Sequence, residues 1–454
     1  MSEKNMTQGN IVKQLLVFSF PVLLAQLLQQ FYSMTDAAIL GHFAESRALA
    51  AIGSGSLLLS VMLNFFTGFT TGIGVLIAQY FGGRDYKKLK DAIQTALMIC
   101  MSVGILFTVL GMMFSREVLV FLNTPESVLD LARLYFNISC LGIVAQMITS
   151  AGTAILRALG NTKSPLYILG CTCVLNVVLD VLLVGVLNTG IRGAAYATLF
   201  AQLLSMILIL YKIKKLSVDY RPSYKPYRPA RFLLKTLLIL GIPSGMQAVF
   251  MSISSLVIQT SINSFGADAI AGMTVFAKVE GFLYYPLFSL GLALSGFIGQ
   301  NCGAGEEERI ELAKKNSLLL SVGFAVVASI FTVVLCNPLL SLFTTDAEIL
   351  NVGREAVYWI LPFYFLYAIN QVYISSLRGT GHTFCPMLIT LVCYSVFRVV
   401  WCSLLLPHIG SMVVIYTSYT VSWVLMFGLL LFAWHKCKEL DEAAVLVKSV
   451  NTIS

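Results

Sequence analysis

The stretch LRALGNTKSPLYILGCTCVLNVVLDVLLVGVL, residues 156–187, decides how this chain is read. It opens on a short polar turn carrying Arg157, Gly160, Lys163 and Pro165 and continues as a long apolar run. Within that run only Asn176 and Asp180 break the apolar character of the last fourteen residues, Val174–Leu187. They lie four residues apart and so share one helix face. A carboxylate and an amide on one face of a bilayer-length segment need a physical reason, because such a carboxylate costs roughly 2.5–3.5 kcal/mol at the bilayer centre on insertion scales.

The rest of the chain repeats this pattern. Of its 454 residues, 57% are hydrophobic and only 11% charged, against about 25% charged in ordinary soluble domains. The mean hydropathy is +0.83. Runs of about 20 apolar residues, the length needed to cross the hydrocarbon core, occur near 15–40, 52–80, 91–114, 130–154, 164–187, 192–214, 233–264, 268–302, 314–335, 352–375, 385–407 and 412–435. Such spans must be helical to satisfy their backbone hydrogen bonds without water. The first run is too long for a secretory signal and is expected to remain as a helix. The net charge of +8 sits in short loops rather than on one basic face, so no nucleic-acid partner is expected. The ten cysteines lie mostly inside apolar runs, without CxxC or zinc-type spacing, and read as small buried hydrophobes.

Lysine and arginine set the orientation. With a cytoplasmic N-terminus, 23 of the 30 basic residues fall on the cytoplasmic side and 5 outside, with Lys278 and Arg398 inside spans. The positive-inside rule then places both termini in the cytoplasm. The chain divides into 1–218, a basic proline-containing linker at 219–232, and 233–454.

The halves echo each other. LRALGNTKSP (156–165) answers LRGTGHTFCP (377–386), and AQYFGGRD (78–85) answers GQNCGAGE (299–306), both at an offset of 221. FPVLLAQ (20–26) answers IPSGMQA (242–248) at 222. An even number of spans per half makes the repeats parallel. The expected fold is therefore all-α: twelve transmembrane helices in two six-helix bundles related by a pseudo-two-fold axis along the membrane normal. No nucleophile–base pair or metal spacing suggests an enzyme.

Only three carboxylates lie well within spans: Asp36, Asp180 and Glu280. Intramembrane acids usually face a cavity and mark an ion or cargo route. The directions of spans one, five and six bring Asp36, Asn176, Asp180 and Thr198 to one depth in the first half. Gln26, Gln30, Ser33 and Asp36 form a polar stripe along span one; Ser252, Ser255, Gln259 and Asn263 form another along span seven. Either stripe can line a wet cavity or bond to neighbouring helices. Pro21 and Pro243 hold equivalent places and are start-of-helix or hinge residues. At the 221 offset Asn176 falls on Phe397 and Asp180 on Trp401; at 222 Asp36 falls on Ile258. The acid cluster thus belongs to the first half, while Tyr364, Tyr367 and Tyr373 give the second half shape and cation–π capacity. Glu280 is either paired with Lys278 or a cargo-binding acid. Arg398 either pairs locally or lines the cavity.

Taken in order and spacing, MTDAAILGHF (34–43), AQYFGGRD, LRALGNTKSP, NVVLD (176–180) and GQNCGAGE resemble the multidrug and toxic compound extrusion (MATE) family of antiporters over nearly the whole chain. The resemblance implies export of drugs or small cationic or amphipathic organic molecules in exchange for inward H+ or Na+, with no cofactor. It assigns ion coupling to Asp36, Asn176, Asp180 and Thr198; Asp36, Asn176 and Asp180 would be metal ligands only for Na+ coupling. The acids that other members carry in spans seven and ten would fall near Met251 and Tyr367 and are absent here. Gln26, Gln30, Ser33, Gln259, Glu280 and Tyr367 are the cargo-cavity candidates. A monomer in the bacterial cytoplasmic membrane, meeting a small-molecule cargo and the lipid bilayer, is expected. The alternative is a flippase for a lipid-linked oligosaccharide or related lipid, which shares the architecture.

Overall fold

The computed structural model describes residues 5–43, 46–121, 124–223 and 227–453; the side chains of 36–38, 40–43, 46–58 and 440–453 lie outside the description. The first six spans are built from α1 (Ile11–Phe43), α2 (Ser46–Gly82), α3 (Tyr86–Met113), the short α4 (Ser115–Phe121), α5 (Glu126–Leu141), α6 (Ile143–Ala158), α7 (Lys163–Asp180) and α8 (Ile191–Lys214). The second six use α9 (Arg231–Asn263), α10 (Ala267–Ala304), α11 (Glu307–Val334), α12 (Cys336–Ser341), α13 (Ala347–Ile360), α14 (Tyr364–Gly379), α15 (Phe384–Thr390), α16 (Phe397–Ile409) and α17 (Val413–Ile453). Eleven spans are long and apolar enough by themselves; α5 and α6, bent by 44° across Gly142, make the twelfth.

Each apolar run of the sequence is thus a span, but not each is one straight helix. The fourth breaks at Gly142, where a Cβ would collide with the Gln202 amide oxygen. The fifth passes from α7 into a π-helical turn, Val181–Val186, closed by Leu187 N–H to Leu182 C=O at 2.9 Å. The tenth joins α13 to α14 through a tight 3₁₀ turn, Leu361–Phe363, with Pro362 at its start. The eleventh joins α15 to α16 through a second π turn, Leu391–Val396. Widened turns of this kind gather at functional positions in helices.

The repeat is visible in the backbone. Arg84 (φ 55°) and Gly305 (φ 75°) turn the chain between the second and third spans of each half, and Gly160 and Gly381 do so between the fourth and fifth. Asp85 caps α3 by accepting from Lys88 N–H at 3.1 Å, and Lys88 Nζ closes on the same carboxylate at 2.8 Å. This bond to Lys88 holds the Asp85 carboxyl below its usual range.

The chain forms two compact units: Met1–Gln8 with Val17–Gly245 and Gly303–Gly305, and Gly9–Leu16 with Met246–Cys302 and Glu306–Ser454. The change of unit in α9 falls two residues after Pro243, and that in α1 between Leu16 and Val17, shortly before Pro21. Both prolines are buried and well inside their helices, where each removes the N–H that would bond four residues back. A start-of-helix role is therefore excluded for both.

The first unit packs around Phe66, Phe69, Ile73, Ile77, Phe136, Met147 and Ile209. In a bilayer the apolar effect does not drive helices together; close backbone approach and dispersion do. α2 and the first half of α9 meet that demand with paired small residues. A Cβ on Gly68 would strike the Ser244 carbonyl, and one on Gly72 the Leu240 carbonyl. Gly241 and Gly245, four apart on α9, receive the rings of Phe69 and Phe65 in return. In the second unit the largest fully buried rings are Tyr364, Tyr416, Phe276 and Phe297.

Candidate functional site

The first unit assembles a buried polar pair. Asn176 and Asp180 stand on the inner face of α7, with 0% and 1% of their surface exposed. In the orientation the hydrogen-bond network selects, Asn176 Nδ2 donates to Asp180 Oδ2 at 2.8 Å, and Asn176 Oδ1 accepts from the Thr198 backbone N–H on α8 at 3.3 Å. Thr198 contributes its main chain to this contact. Asp180 is the last residue of α7, immediately before the π turn. The first span reaches the same elements: Leu28 of α1 sits against Gly170 of α7, and Ile39 packs on Val184 of the π turn and Ala194 of α8. The Asp36 side chain, three residues before Ile39, lies outside the described residues.

The amide is fixed at both ends. Its nitrogen meets a carboxylate that needs a donor; its oxygen meets a backbone N–H that needs an acceptor. Protonation or cation binding at Asp180 changes what the carboxyl offers Asn176. Either the carboxyl then turns to keep an accepting oxygen on Nδ2, or the amide turns and releases α8. One charge on α7 is thereby linked to the seating of α8.

The polar stripes behave differently. On α1, Gln26 is half-buried while Gln30 and Ser33 are exposed, and Ser33 Oγ bonds back to the Gln29 carbonyl. On α9, Ser252 and Ser255 bond back to Ala248 and Met251, and Gln259 Nε2 donates to Asn263 Oδ1 at 2.9 Å. The α9 stripe, and Ser33 of the α1 stripe, bond along their own helices. The bonds that tie α9 to its neighbours come from another face: Gln247 Nε2 to Thr390 Oγ1 (2.9 Å), Arg378 Nη2 to Gln247 Oε1 (2.8 Å) and Ser254 Oγ to the Tyr394 carbonyl (2.6 Å).

Glu280 proves not to pair with Lys278. Two residues apart on α10, their side chains point to nearly opposite faces. Lys278 is exposed and faces the Phe343 ring at 5.9 Å. Glu280, half-buried, accepts from Tyr364 Oη at 3.1 Å. Around it stand Tyr284, Tyr367, Tyr364 and Trp423, with neighbouring ring centroids 5.2–5.9 Å apart. Arg398, 8% exposed, lies between the faces of Tyr394 (4.3 Å) and Tyr419 (4.4 Å), and its Nε donates to Ser422 Oγ at 2.9 Å. Sequence reading singled out Glu280, Arg398 and Tyr367 but not Tyr284, Tyr419, Ser422 or Trp423. Tyr394 could have been found, being one helical turn before Arg398; the α17 residues come from a distant part of the chain and carry no local signal.

Two parallel sets of six apolar spans, with a buried acid in the first and an aromatic chamber in the second, define a multi-pass membrane transporter fold. The MatE family model matches twice, over residues 21–182 and 243–404, and the chain belongs to this family. Among curated proteins it is 28% identical to the probable multidrug resistance protein YpnP of Bacillus subtilis, covering 90% of this chain and 92% of that one. It is 27% identical to the probable multidrug resistance protein NorM of Thermotoga maritima, covering 84% and 83%. In three dimensions it resembles a MATE crystal structure in the bent conformation (TM-score 0.90, 19% identity, covering 98% of this chain and 100% of that one). An outward-facing multidrug resistance MATE transporter is similar at a TM-score of 0.89, with 19% identity and coverage of 97% and 100%.

The two matched ranges begin and end 222 residues apart. The turns that open the fifth and eleventh spans, at Gly160 and Gly381, stand 221 apart.

Proposed function

We propose that this chain exports drugs or small organic molecules from the cytoplasm of a bacterium in exchange for inward H+ or Na+. The supporting observation is Asp180, a carboxylate buried in an apolar span and held by an amide that also bonds α8. Asp36, Asn176 and Thr198 are its partners in ion coupling. Loading the site from outside neutralises Asp180 and relieves the cost of a desolvated charge. The change passes through Asn176 to α8, cargo affinity falls, and cargo leaves outward. Reorientation then releases the ion inward. Pro21 and Pro243 are the helix positions at which this reorientation bends the chain. Both termini are cytoplasmic, no cofactor takes part, and the monomer is the working unit. The relatives' names, which describe multidrug resistance, agree with this reading.

Reconstitution in proteoliposomes tests it. Proton and sodium gradients are imposed separately across membranes containing the full chain, with a fluorescent organic cation as cargo. Uphill cargo movement with one gradient and not the other names the ion. If neither gradient moves cargo uphill, the antiport reading fails.

A further inference from the structure

Several cations near the ends of spans are engaged by the protein itself. Lys88 closes on Asp85, and Lys314 and Lys438 share Glu311. Lys314 also lies over the Trp434 ring at 4.0 Å, and Arg309 donates to Asn301 Oδ1 at 3.1 Å and to the Gly9 carbonyl at 3.2 Å. The stretch joining α8 to α9 differs. Residues 211–235 carry eight cations and one acid, Asp219, which accepts from Ser217 Oγ at 3.2 Å. Lys212, Arg221, Arg228, Arg231 and Lys235 are exposed, and among the described residues none of them has an ion-pair partner.

This stretch is pinned to the first unit. Tyr220 packs on the rings of Phe81 (6.1 Å) and Tyr86 (5.5 Å), Gln94 Nε2 donates to the Ser223 carbonyl at 2.9 Å, and Tyr227 Oη donates to the Asp91 carbonyl at 3.4 Å. Ile213, Leu216, Tyr220, Leu233 and Leu237 turn into the core of that unit. The cations stand on the opposite faces of the same elements.

Those faces continue into the bilayer. On α9, Arg231, Lys235, Ile239 and Ile242 follow one another on a single helix face, and all are exposed. Phe232, 70% exposed, stands beside Arg231. On α8, Ile207, Tyr211 and Lys215 follow the same rule, with Lys215 Nζ 4.5 Å from the Tyr211 ring centroid. The exposed apolar part of a span meets acyl chains, and long basic side chains at its end reach the headgroups. A partner that covers such a face is apolar along its length and anionic at one end. A soluble anion covers only the end, and a phosphatidylcholine brings its own cation to the basic cluster.

We propose that the first unit binds an anionic phospholipid on this face of α9, with Arg228, Arg231 and Lys235 on its headgroup, Phe232 at the depth of its glycerol backbone, and Ile239 and Ile242 along an acyl chain. The binding does not depend on which cargo or ion the chain moves.

The test reads lipid at this position. All four tryptophans of the chain lie in the second unit, so the emission added by Phe232→Trp, with wild type subtracted, reports the face of α9. The full chain carrying this reporter is placed in phosphatidylcholine nanodiscs containing increasing fractions of dibrominated phosphatidylglycerol or, separately, dibrominated phosphatidylcholine, both of which quench tryptophan on contact. Half-quenching should need at least about fivefold less brominated phosphatidylglycerol than brominated phosphatidylcholine, the scale of one cation beside an anionic headgroup. Adding Arg228→Gln, Arg231→Gln and Lys235→Gln should bring this ratio to about one. Where that variant does not fold, the reporter protein in 1 M salt, at a Debye length of about 3 Å, should lose most of the preference. A ratio near one in the reporter protein, a ratio unchanged by the three substitutions or by salt, or a preference abolished by inorganic phosphate at constant ionic strength, which marks a soluble-anion site, overturns the proposal.

Discussion

Asp180→Asn separates the charge of the proposed coupling site from its architecture. The new amide oxygen can accept from Asn176 Nδ2 as the carboxylate does at 2.8 Å, so the link onward to Thr198 is retained. The buried side chain, 1% exposed, loses a charge and keeps nearly the same volume. On insertion scales an acid at the bilayer centre costs roughly 2.5–3.5 kcal/mol, so the variant should melt at or above the wild-type temperature. Its effect on transport should be large. One inward charge across 100 mV supplies about 2.3 kcal/mol, equivalent to about a 50-fold cargo ratio for one-to-one exchange of a neutral molecule. In proteoliposomes with a clamped potential and the driving ion outside, wild type should approach that ratio, and Asp180→Asn should stay near one. Counterflow of labelled cargo with no gradient should persist, showing that the variant still binds and reorients. Asp180→Leu, which offers Asn176 no acceptor, should also lower the melting temperature, since an orphaned buried donor costs about 1–3 kcal/mol. Uphill accumulation by Asp180→Asn at the wild-type ratio would refute the assignment.

Two further outcomes follow from the packing. Gly72→Leu places a side chain against the Leu240 carbonyl; overpacking of this kind costs typically 1–3 kcal/mol, so thermal melting in detergent should fall by several degrees and transport should be lost. Gly323→Ala, whose Cβ meets nothing within 4 Å, is the matched control and should leave both unchanged. Pro243→Ala restores a backbone donor within α9 and should raise the melting temperature; if the proline is a hinge, initial cargo flux should drop several-fold while equilibrium binding of cargo is kept, and an unchanged flux would remove the hinge role.

Most of the fold can be read from the chain because the bilayer imposes one strong rule. Apolar runs of about 20 residues must become helices, and all twelve runs are spans. The repeated turns are legible for a similar reason. A left-handed backbone position favours glycine, so the GN and GH turns at Gly160 and Gly381 announce themselves, whereas Arg84 holds the same conformation without that signal. The bend at Gly142 and the π turns after Asp180 and before Phe397 are not legible. They interrupt runs whose composition does not change, and they depend on what packs beside them.

The site divides along the same line. Asn176 and Asp180 could be placed together from sequence because four residues make one helical turn, and their burial follows from the cost of a charge in lipid. The separation of Lys278 from Glu280 follows from helical geometry too, although proximity in sequence suggested a pair. The partnership of Glu280 with Tyr364, and of Arg398 with Tyr419 and Ser422, joins residues 84, 21 and 24 positions apart on different helices. Sequence alone determined that the chain crosses the membrane twelve times, that its halves repeat, and that the amide–carboxylate pair of span five belongs to the first. Only the tertiary structure decided which aromatic faces and donors close around Glu280 and Arg398, because periodicity assigns a side chain to a helix face and helix packing chooses what that face meets.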